Sequence, residues 1–198
     1  MADDTLEHDQ FAQYYVTACA QTTDINEHLP KLYELAHTCA RVVEFGVREG
    51  QSTRAFLFAA TRKIGPSLRS YDIDIHPVVT YLFEEARKEG ADVQYIKGNT
   101  LEIDIESCCM LFIDSLHTYE QLKAELDRHA GKVSKYLAFH DVKNMGLGAW
   151  DTEPRGLLNA ILDYMIEHPG EWNPYYNTIS NNGMLVLKRS FWSIDKQP

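Results

Sequence analysis

Short apolar runs alternate with amphipathic stretches from residue 41 onward, and no long linker separates them. The apolar runs predict strands at residues 42–45, 67–73, 93–97, 110–113 and 136–139. The amphipathic stretches predict helices at residues 52–63, 77–89, 119–129 and 155–167. This alternation is typical of a mostly parallel sheet, because parallel strands need long crossover connections that are usually helical.

The two ends of the chain depart from this alternation. Residues 11–40 predict one or two helices, interrupted around residues 22–26, with Pro30 in the first turn of the second. Two strand-like runs, at 172–180 and 184–189, flank Asn181-Asn-Gly183, which is typical of a hairpin turn. We therefore predict an α/β, Rossmann-like fold: a mostly parallel seven-stranded sheet with helices on both faces and a C-terminal antiparallel hairpin. Residues 1–40 would form an N-terminal helical segment, and residues 41–198 the remainder of a single domain.

Composition and charge indicate a soluble globular protein. The length of 198 residues suits one domain, and the net charge of −10 disfavours a nucleic-acid partner, which usually requires a basic patch. No apolar stretch approaches the roughly 18–20 residues that span a bilayer, and the acidic start Met1-Ala-Asp-Asp-Thr5 is unlike a signal peptide. The cysteines lack the spacing of a disulfide framework or a zinc site. These features predict a cytoplasmic protein without a membrane partner.

The turn after the first strand has the composition of an anion-binding loop. Glu44 is followed by Gly46 and Gly50, which allow the backbone to approach a ligand closely because they lack Cβ. The next helix, with Gln51 or Ser52 as its predicted N-cap, offers free N–H groups and a positive dipole end. The Gly-x-x-x-Gly spacing differs from that of dinucleotide-binding loops. We interpret Glu44, Gly46, Gly50 and Ser52 as cofactor-binding residues; a plain strand-to-helix connection is the alternative.

An acidic segment, Tyr71-Asp-Ile-Asp-Ile-His-Pro77, ends the second strand. An acid about 20 residues beyond a glycine-containing turn can accept hydrogen bonds from ribose hydroxyls. Asp74 is the predicted contact because it lies nearest the end of the strand, and Asp72 is the alternative. The turn and the acid together predict a cofactor that carries a ribose.

Two further carboxylates, Asp114 and Asp141, follow the fourth and fifth strands. If these strands are parallel neighbours about 4.8 Å apart, both acids lie on one rim of the sheet. They would repel each other unless a cation, a shared proton or a basic residue intervened. Mg²⁺ commonly binds one or two carboxylates, and such an ion could hold both oxygens of a vicinal diol. The alternative is that both acids cap loops and helix N-termini.

His117 lies three residues beyond Asp114, in the predicted loop before a helix. A neutral imidazole with a pKa of about 6.5 can take a proton from a hydroxyl nucleophile. We therefore interpret His117 and Asp114 as catalytic residues. The alternative is that His117 orders the loop or caps the helix beginning near Tyr119.

Several of these segments resemble motifs of the class I S-adenosylmethionine-dependent methyltransferases. Glu44-Phe-Gly-Val-Arg-Glu-Gly-Gln-Ser52 is similar to their first motif, residues 71–77 to their second, and Lys97-Gly-Asn-Thr100 to the segment after their third strand. Phe112-Ile-Asp-Ser-Leu-His-Thr-Tyr119 and His140-Asp-Val142 are most similar to the small sugar and macrolide O-methyltransferases, a group that includes cephalosporin-hydroxylase-like proteins. The resemblance covers roughly residues 40–145.

The resemblance implies a methyltransferase that uses S-adenosylmethionine to methylate a hydroxyl of a small molecule, such as a sugar or glycoside with a vicinal diol. It also implies that Asp114 contacts the cofactor and that Asn99 replaces an acid that holds adenine. In metal-dependent members of the family, acids at the positions of Asp114 and Asp141 bind the metal with a second acid just before the last. Here His140 takes that place, and as a softer donor it would favour Mn²⁺ or Fe²⁺ over Mg²⁺.

Other functions stay open at this point. The chain could be a non-catalytic S-adenosylmethionine-binding or structural protein on the same scaffold, or a Rossmann-type oxidoreductase, which the glycine spacing disfavours. A catechol-like phenol would satisfy the same metal geometry as a sugar diol. The N-terminal segment, with Phe11, Tyr14 and Tyr15, could cover the active site or form a homodimer.

Overall fold

A computed structural model describes residues 9–147 and 155–190 of the chain. Within these ranges seven β-strands form one sheet. The strands are β1 Arg41–Phe45, β2 Ser67–Asp72, β3 Val93–Lys97, β4 Cys108–Ile113, β5 Val133–His140, β6 Trp172–Thr178 and β7 Met184–Arg189.

The described ranges also contain α-helices before, between and after the parallel strands. They are α1 Gln10–Ala20, α2 Leu29–His37, α3 Gln51–Ala60, α4 Pro77–Lys88, α5 Tyr119–His129 and α6 Leu157–Glu167. Short 3-10 helices at Asn26–His28 and Ala130–Lys132 precede α2 and β5. Of the helices in these ranges, none combines the length and apolar character needed to cross a membrane.

The strand order in the sheet is β3-β2-β1-β4-β5-β7-β6. The first five strands run parallel, whereas β7 pairs antiparallel with both β5 and β6. The predicted fold, including its C-terminal antiparallel hairpin, is therefore confirmed. Strands β2 and β3 lie on one side of β1, and strands β4 and β5 lie on the other side. The order consequently reverses between β1 and β4, where ligands of such sheets bind.

Alternate residues of β1 enter two different cores. Val42 packs with apolar residues of α2, α3 and α4, whereas Val43 and Phe45 pack with those of α5 and α6. The apolar residues of both clusters are buried, so helices cover both faces of the sheet. This arrangement explains why the parallel strands have continuous apolar runs in the sequence.

Several predicted bounds differ from the observed ones. Strands β4 and β5 each begin earlier than predicted, since Cys108 and Val133 already pair with each other. Helix α6 begins at Leu157, after Gly156 as its N-cap, two residues later than predicted. Helix α3 is capped by Gly50, not by Gln51 or Ser52. Gly50 has a φ of +76°, a left-handed conformation that glycine adopts without a steric penalty.

Gly46 lies where β1 and β4 end side by side. Its N–H donates to the carbonyl of Tyr71 at 3.0 Å, and its φ is +80°. A Cβ on Gly46 would lie 2.0 Å from the main-chain oxygen of Asp114. Glycine is therefore required at position 46 because the main chain after β4 lies so close to it, whether or not a ligand also approaches.

Replacing Gly46 by alanine should destabilise the protein severely. A strained backbone conformation alone costs about 1–3 kcal/mol, and here one of two loops must also move to remove the contact with Asp114. Chemical denaturation should therefore show a loss of unfolding free energy in Gly46→Ala that exceeds this range.

Gly90→Ala is the matched control. Gly90 has a φ of +86°, but among the described residues no other segment comes within 4 Å of the place that a Cβ would occupy. This variant should show the conformational cost alone. Equal losses in the two variants would contradict the contact between Gly46 and Asp114.

Candidate functional site

Three loops meet at the carboxyl ends of the central parallel strands. The N–H of Gly46 donates to Tyr71 on β2, and the N–H of Asp114 donates to the carbonyl of Phe45 at 2.8 Å. These two main-chain bonds join the loops after β1, β2 and β4 at the point where the strand order reverses. The candidate site therefore has a rigid floor made by the backbone of the sheet.

Glu44 is fully buried beneath this floor. Its carboxylate accepts hydrogen bonds from Ser52 at 2.6 Å, from Thr53 at 3.0 and 3.1 Å, and from Ser70 at 2.5 Å. Burial raises the pKa of Glu44 to about 7, against the opposing effect of these hydroxyl donors. Glu44 thus ties the start of α3 to β1 and β2, and it is not among the lining residues of the two cavities described below.

Asp72 and Asp74, the two candidate ribose contacts, lie in different environments. One oxygen of Asp72 accepts the N–H groups of Val47 at 2.7 Å and Arg48 at 2.9 Å, so Asp72 lies beside the glycine-containing loop. The side chain of Asp74 is 88% exposed and pairs with Lys97 at 3.6 Å. The structure therefore favours Asp72, which was the alternative, over Asp74.

A cavity of about 340 Å³, which we call the β3-side cavity, opens beside Asp72. Its walls come from the loops after β1, β2, β3 and β4, and they include Gly46, Gly98, Asn99 and Thr100. Two exposed apolar side chains also line it: Ile73 is 66% exposed and Leu116 is 63% exposed. Apolar walls with a few fixed polar groups are typical of small-molecule sites.

A second cavity of about 360 Å³, the N-terminal cavity, lies on the other side of the glycine-containing loop. The loop between α1 and α2 contributes Thr23, Asp24 and Ile25 to it, and the start of α3 contributes Gln51 and Ser52. The two cavities share one acid and one base as lining residues, Asp114 and Arg48. Asp114 therefore lies between the two cavities.

Asp114 and Asp141 lie on the shared rim, with His117 between them. The Nε2 atom of His117 is 3.0 Å from an oxygen of Asp114 and 3.0 Å from an oxygen of Asp141. The parallel pairing of Ile113 with Phe139 brings the two acids to the same edge. The structure thus brings together the three residues that the sequence assigned to the reaction.

His140 also faces this pair of acids. Its Nδ1 atom is 3.3 Å from Asp114 and 3.4 Å from Asp141. Successive residues of a strand point to opposite faces, so an extended chain through residues 140 and 141 would not turn both side chains to one site. Asp141 has a φ of +58°, which ends the extended conformation directly after β5. This left-handed residue turns its carboxylate back toward His140.

The protonation of His140 is constrained from both sides. Its Nε2 atom lies 3.1 Å from the main-chain oxygen of Asp24. A carbonyl oxygen can only accept, so Nε2 carries a proton and Nδ1 is the atom that faces the acids. Burial alone would lower the pKa of His140, but the hydrogen bonds to Asp114 and Asp141 outweigh burial and raise it to about 10.

The same charges set the pKa values of the other groups in the cluster. Burial opposes the effect of Asp114 and Asp141 on His117, yet these acids raise its pKa. The histidines in turn lower the pKa of both acids, although burial acts in the opposite direction. Each acid and each of these two histidines thus favours the charged form of the other.

The donor set also fits a divalent cation. Ligand atoms of Asp114, His140 and Asp141 lie within 4.8 Å of one another. The Oδ1 atom of Asp141 is buried and has no hydrogen-bond partner among the described residues. A buried carboxylate oxygen without a donor is costly unless a ligand satisfies it. Two oxygens and an imidazole nitrogen are suitable for Mn²⁺ and also for Mg²⁺.

His28 was given no role from the sequence, but it packs against this cluster. It is 1% exposed, and its ring centroid lies 5.4 Å from that of His140. Burial lowers its pKa to about 4, so it is neutral at physiological pH. The contacts of His28 and of the Asp24 carbonyl depend on the packing of the N-terminal segment across the site. No local sequence motif indicates such contacts.

Comparisons with known proteins support the fold. Neither a protein-family model nor a curated protein matches the chain. Among solved structures, a protein from Corynebacterium glutamicum has a TM-score of 0.67 at 16% identity, covering 97% of this chain and 93% of that one. The Bacillus cereus O-methyltransferase, solved with S-adenosylhomocysteine, has a TM-score of 0.63 at 15% identity, with 96% and 92% covered.

An rRNA methylase from Streptococcus thermophilus is also similar, with a TM-score of 0.54 at 15% identity and 85% and 97% of the two chains covered. The similar structures thus include enzymes named for different acceptors, so the fold does not identify the acceptor. The chain has the fold of the class I S-adenosylmethionine-dependent methyltransferases.

Proposed function

We propose that the protein is an S-adenosylmethionine-dependent O-methyltransferase that acts on a hydroxyl group of a small molecule. The observation that carries this proposal is the position of Asp114. It lines both cavities and also belongs to the cluster of acids and histidines. A ligand that occupies both cavities would therefore pass directly beside a group able to position or deprotonate an acceptor.

The two cavities suit the two ends of S-adenosylmethionine. The β3-side cavity offers the apolar side chains of Ile73 and Leu116 for adenine, and Asp72 as an acceptor for the ribose hydroxyls. The N-terminal cavity offers Ser52 and the start of α3 to the charged methionine end. Gly46 lines the β3-side cavity, and its φ of +80° keeps its loop close to Asp114, which lines both cavities.

When bound, S-adenosylmethionine supplies a methyl group already activated on a sulfonium. The protein then has to align the acceptor and remove its proton. His117 is the proposed base, since its Nε2 atom lies on the rim between Asp114 and Asp141. Burial would lower the pKa of His117, but the neighbouring Asp114 and Asp141 outweigh burial and raise it. A group that neutralises these acids would lower that pKa and leave His117 able to accept a proton.

Asp114, His140 and Asp141 are the residues that would hold a divalent cation. Such an ion supplies positive charge that favours an ionised acceptor oxygen and can fix two neighbouring hydroxyls. A vicinal diol on a sugar or glycoside is therefore the proposed acceptor class. The formal net charge of −10 supports a small acceptor over a nucleic acid.

Asp72→Ala should weaken binding of S-adenosylhomocysteine, measured by calorimetry. Each charge-assisted hydrogen bond to a ribose hydroxyl contributes about 1.5–3 kcal/mol, so the Kd should rise at least tenfold. The matched control is Asp74→Ala, which removes an exposed acid two residues away and should leave the Kd near the wild-type value. If only Asp74→Ala raises the Kd, Asp74 and not Asp72 contacts the ribose.

Metal dependence should follow the cluster of acids and His140. Chelator treatment should abolish methyl transfer from radiolabelled S-adenosylmethionine to a panel of glycosides and catechols, and added Mn²⁺ or Mg²⁺ should restore it. Asp141→Asn should weaken metal binding, whereas the control Asp127→Asn, on the exposed side of α5, should not. Activity that is indifferent to the chelator and to Asp141→Asn would rule out the metal and leave His117 and Asp114 as a dyad.

His117→Ala should separate deprotonation from metal binding. Loss of a general base typically costs a factor of about 10²–10⁴ in rate, and metal affinity should persist because His117 is not one of the proposed ligands. Titration with Mn²⁺ beside the rate measurement tests both points. A full rate in His117→Ala would assign the proton transfer to another group, and methyl transfer to no member of the panel would favour a non-catalytic binding protein.

A further inference from the structure

A second buried acid, Glu125 on α5, organises one wall of the β3-side cavity. Glu125 is 0% exposed. Its carboxylate accepts hydrogen bonds from Thr100 at 2.6 Å, from Ser115 at 2.7 and 2.9 Å, and from Gln121 at 2.9 Å. These three donors belong to three different segments, and all of them line the β3-side cavity. One carboxylate therefore fixes three polar side chains of the cavity at once.

The contacts determine which end of the Gln121 amide faces Thr100 and Glu125. Thr100 has a single hydroxyl proton, and it is donated to Glu125. The Thr100 oxygen must therefore accept from its other neighbour, the Nε2 atom of Gln121, at 2.9 Å. Since Glu125 also accepts from Nε2, the amide nitrogen is committed to these two residues. The carbonyl oxygen is the end of Gln121 that remains for a ligand.

Asn99 stands where the family resemblance implied an adenine contact, but its side chain is already used within its own loop. Its amide oxygen accepts the N–H of Leu101 at 3.0 Å, and its amide nitrogen donates to Glu102 at 3.1 Å. The residue lines the cavity and is exposed. Its amide would have to break both local hydrogen bonds to turn toward a ligand.

We propose that Gln121, oriented by Glu125, recognises the 6-amino group of the adenine ring through its amide oxygen. This inference rests on the proposed use of S-adenosylmethionine and specifies how the nucleobase is read. A 6-amino group donates to that oxygen, whereas the 6-oxo group of hypoxanthine presents an acceptor to an acceptor. A site built to accept a hydrogen bond rejects an analogue that cannot donate it. Gln121 is thus a specificity residue and Glu125 a positioning residue.

The test compares binding of S-adenosylhomocysteine with that of S-inosylhomocysteine, its 6-oxo analogue, by calorimetry. The wild type should prefer the adenine ligand at least tenfold, equivalent to about 1.4 kcal/mol. Gln121→Leu should remove most of this preference, because leucine keeps the bulk of the side chain but has no acceptor. The same substitution at an exposed position of β3, Gln94→Leu, should keep the wild-type ratio.

Glu125→Gln tests the positioning role. An amide at position 125 can donate as well as accept, so it would no longer hold the nitrogen of the Gln121 amide toward position 125. The preference for the adenine ligand should then fall, although Gln121 itself is unchanged. A role in stability alone would lower the melting temperature or weaken both ligands equally, without changing their ratio.

Two results would overturn the assignment, and they differ from failure of the proposed function. If the wild type binds both ligands and Gln121→Leu keeps the full preference, Gln121 does not read the base. If the preference is lost in Asn99→Ala instead, Asn99 reads it. If the wild type binds neither ligand, the proposed cofactor itself is wrong and the adenine assignment fails with it.

Discussion

The main chains that end β1 and β4 touch at Gly46 and Asp114, and the site depends on this contact. There is no room for a Cβ between them, since it would lie 2.0 Å from the Asp114 oxygen. The contact places Asp114 directly against the glycine-containing loop after β1. Glu44 supports the same loop from below through three buried hydroxyl groups. In the proposed function, backbone geometry therefore joins the loop that binds the cofactor to the cluster of acids and histidines.

The second constraint is electrostatic. The rim holds two neighbouring acids, the half-buried Asp114 and the buried Asp141, whose negative charges repel each other unless a counter-charge lies beside them. His117 and His140 lie beside both acids and can supply it, and the acids raise the pKa of both histidines. A divalent cation would supply the same charge by a different route. The unsatisfied Oδ1 atom of Asp141 favours that route, because the histidines leave it without a partner among the described residues.

The sequence was sufficient for features that depend on periodicity and on strand ends. Alternating elements predicted the sheet, and parallel pairing of β4 with β5 explains why Asp114 and Asp141 could be placed together from the sequence. It was insufficient where a loop conformation or distant packing decides the geometry. The left-handed φ of Asp141 has no local signal, and neither has the contact of His140 with the Asp24 carbonyl, which is 116 residues away. Glu125 resembled an ordinary polar position of an amphipathic helix.

The central claim is that one ligand spans both cavities and passes beside Asp114. A crystal structure of the protein with S-adenosylhomocysteine tests it most directly. We expect electron density for the nucleoside in the β3-side cavity, with the ribose hydroxyls on Asp72. The sulfur atom should lie beside Asp114, with the amino-acid end toward Ser52. A ligand bound outside these two cavities, or a nucleoside in the N-terminal cavity, would contradict it.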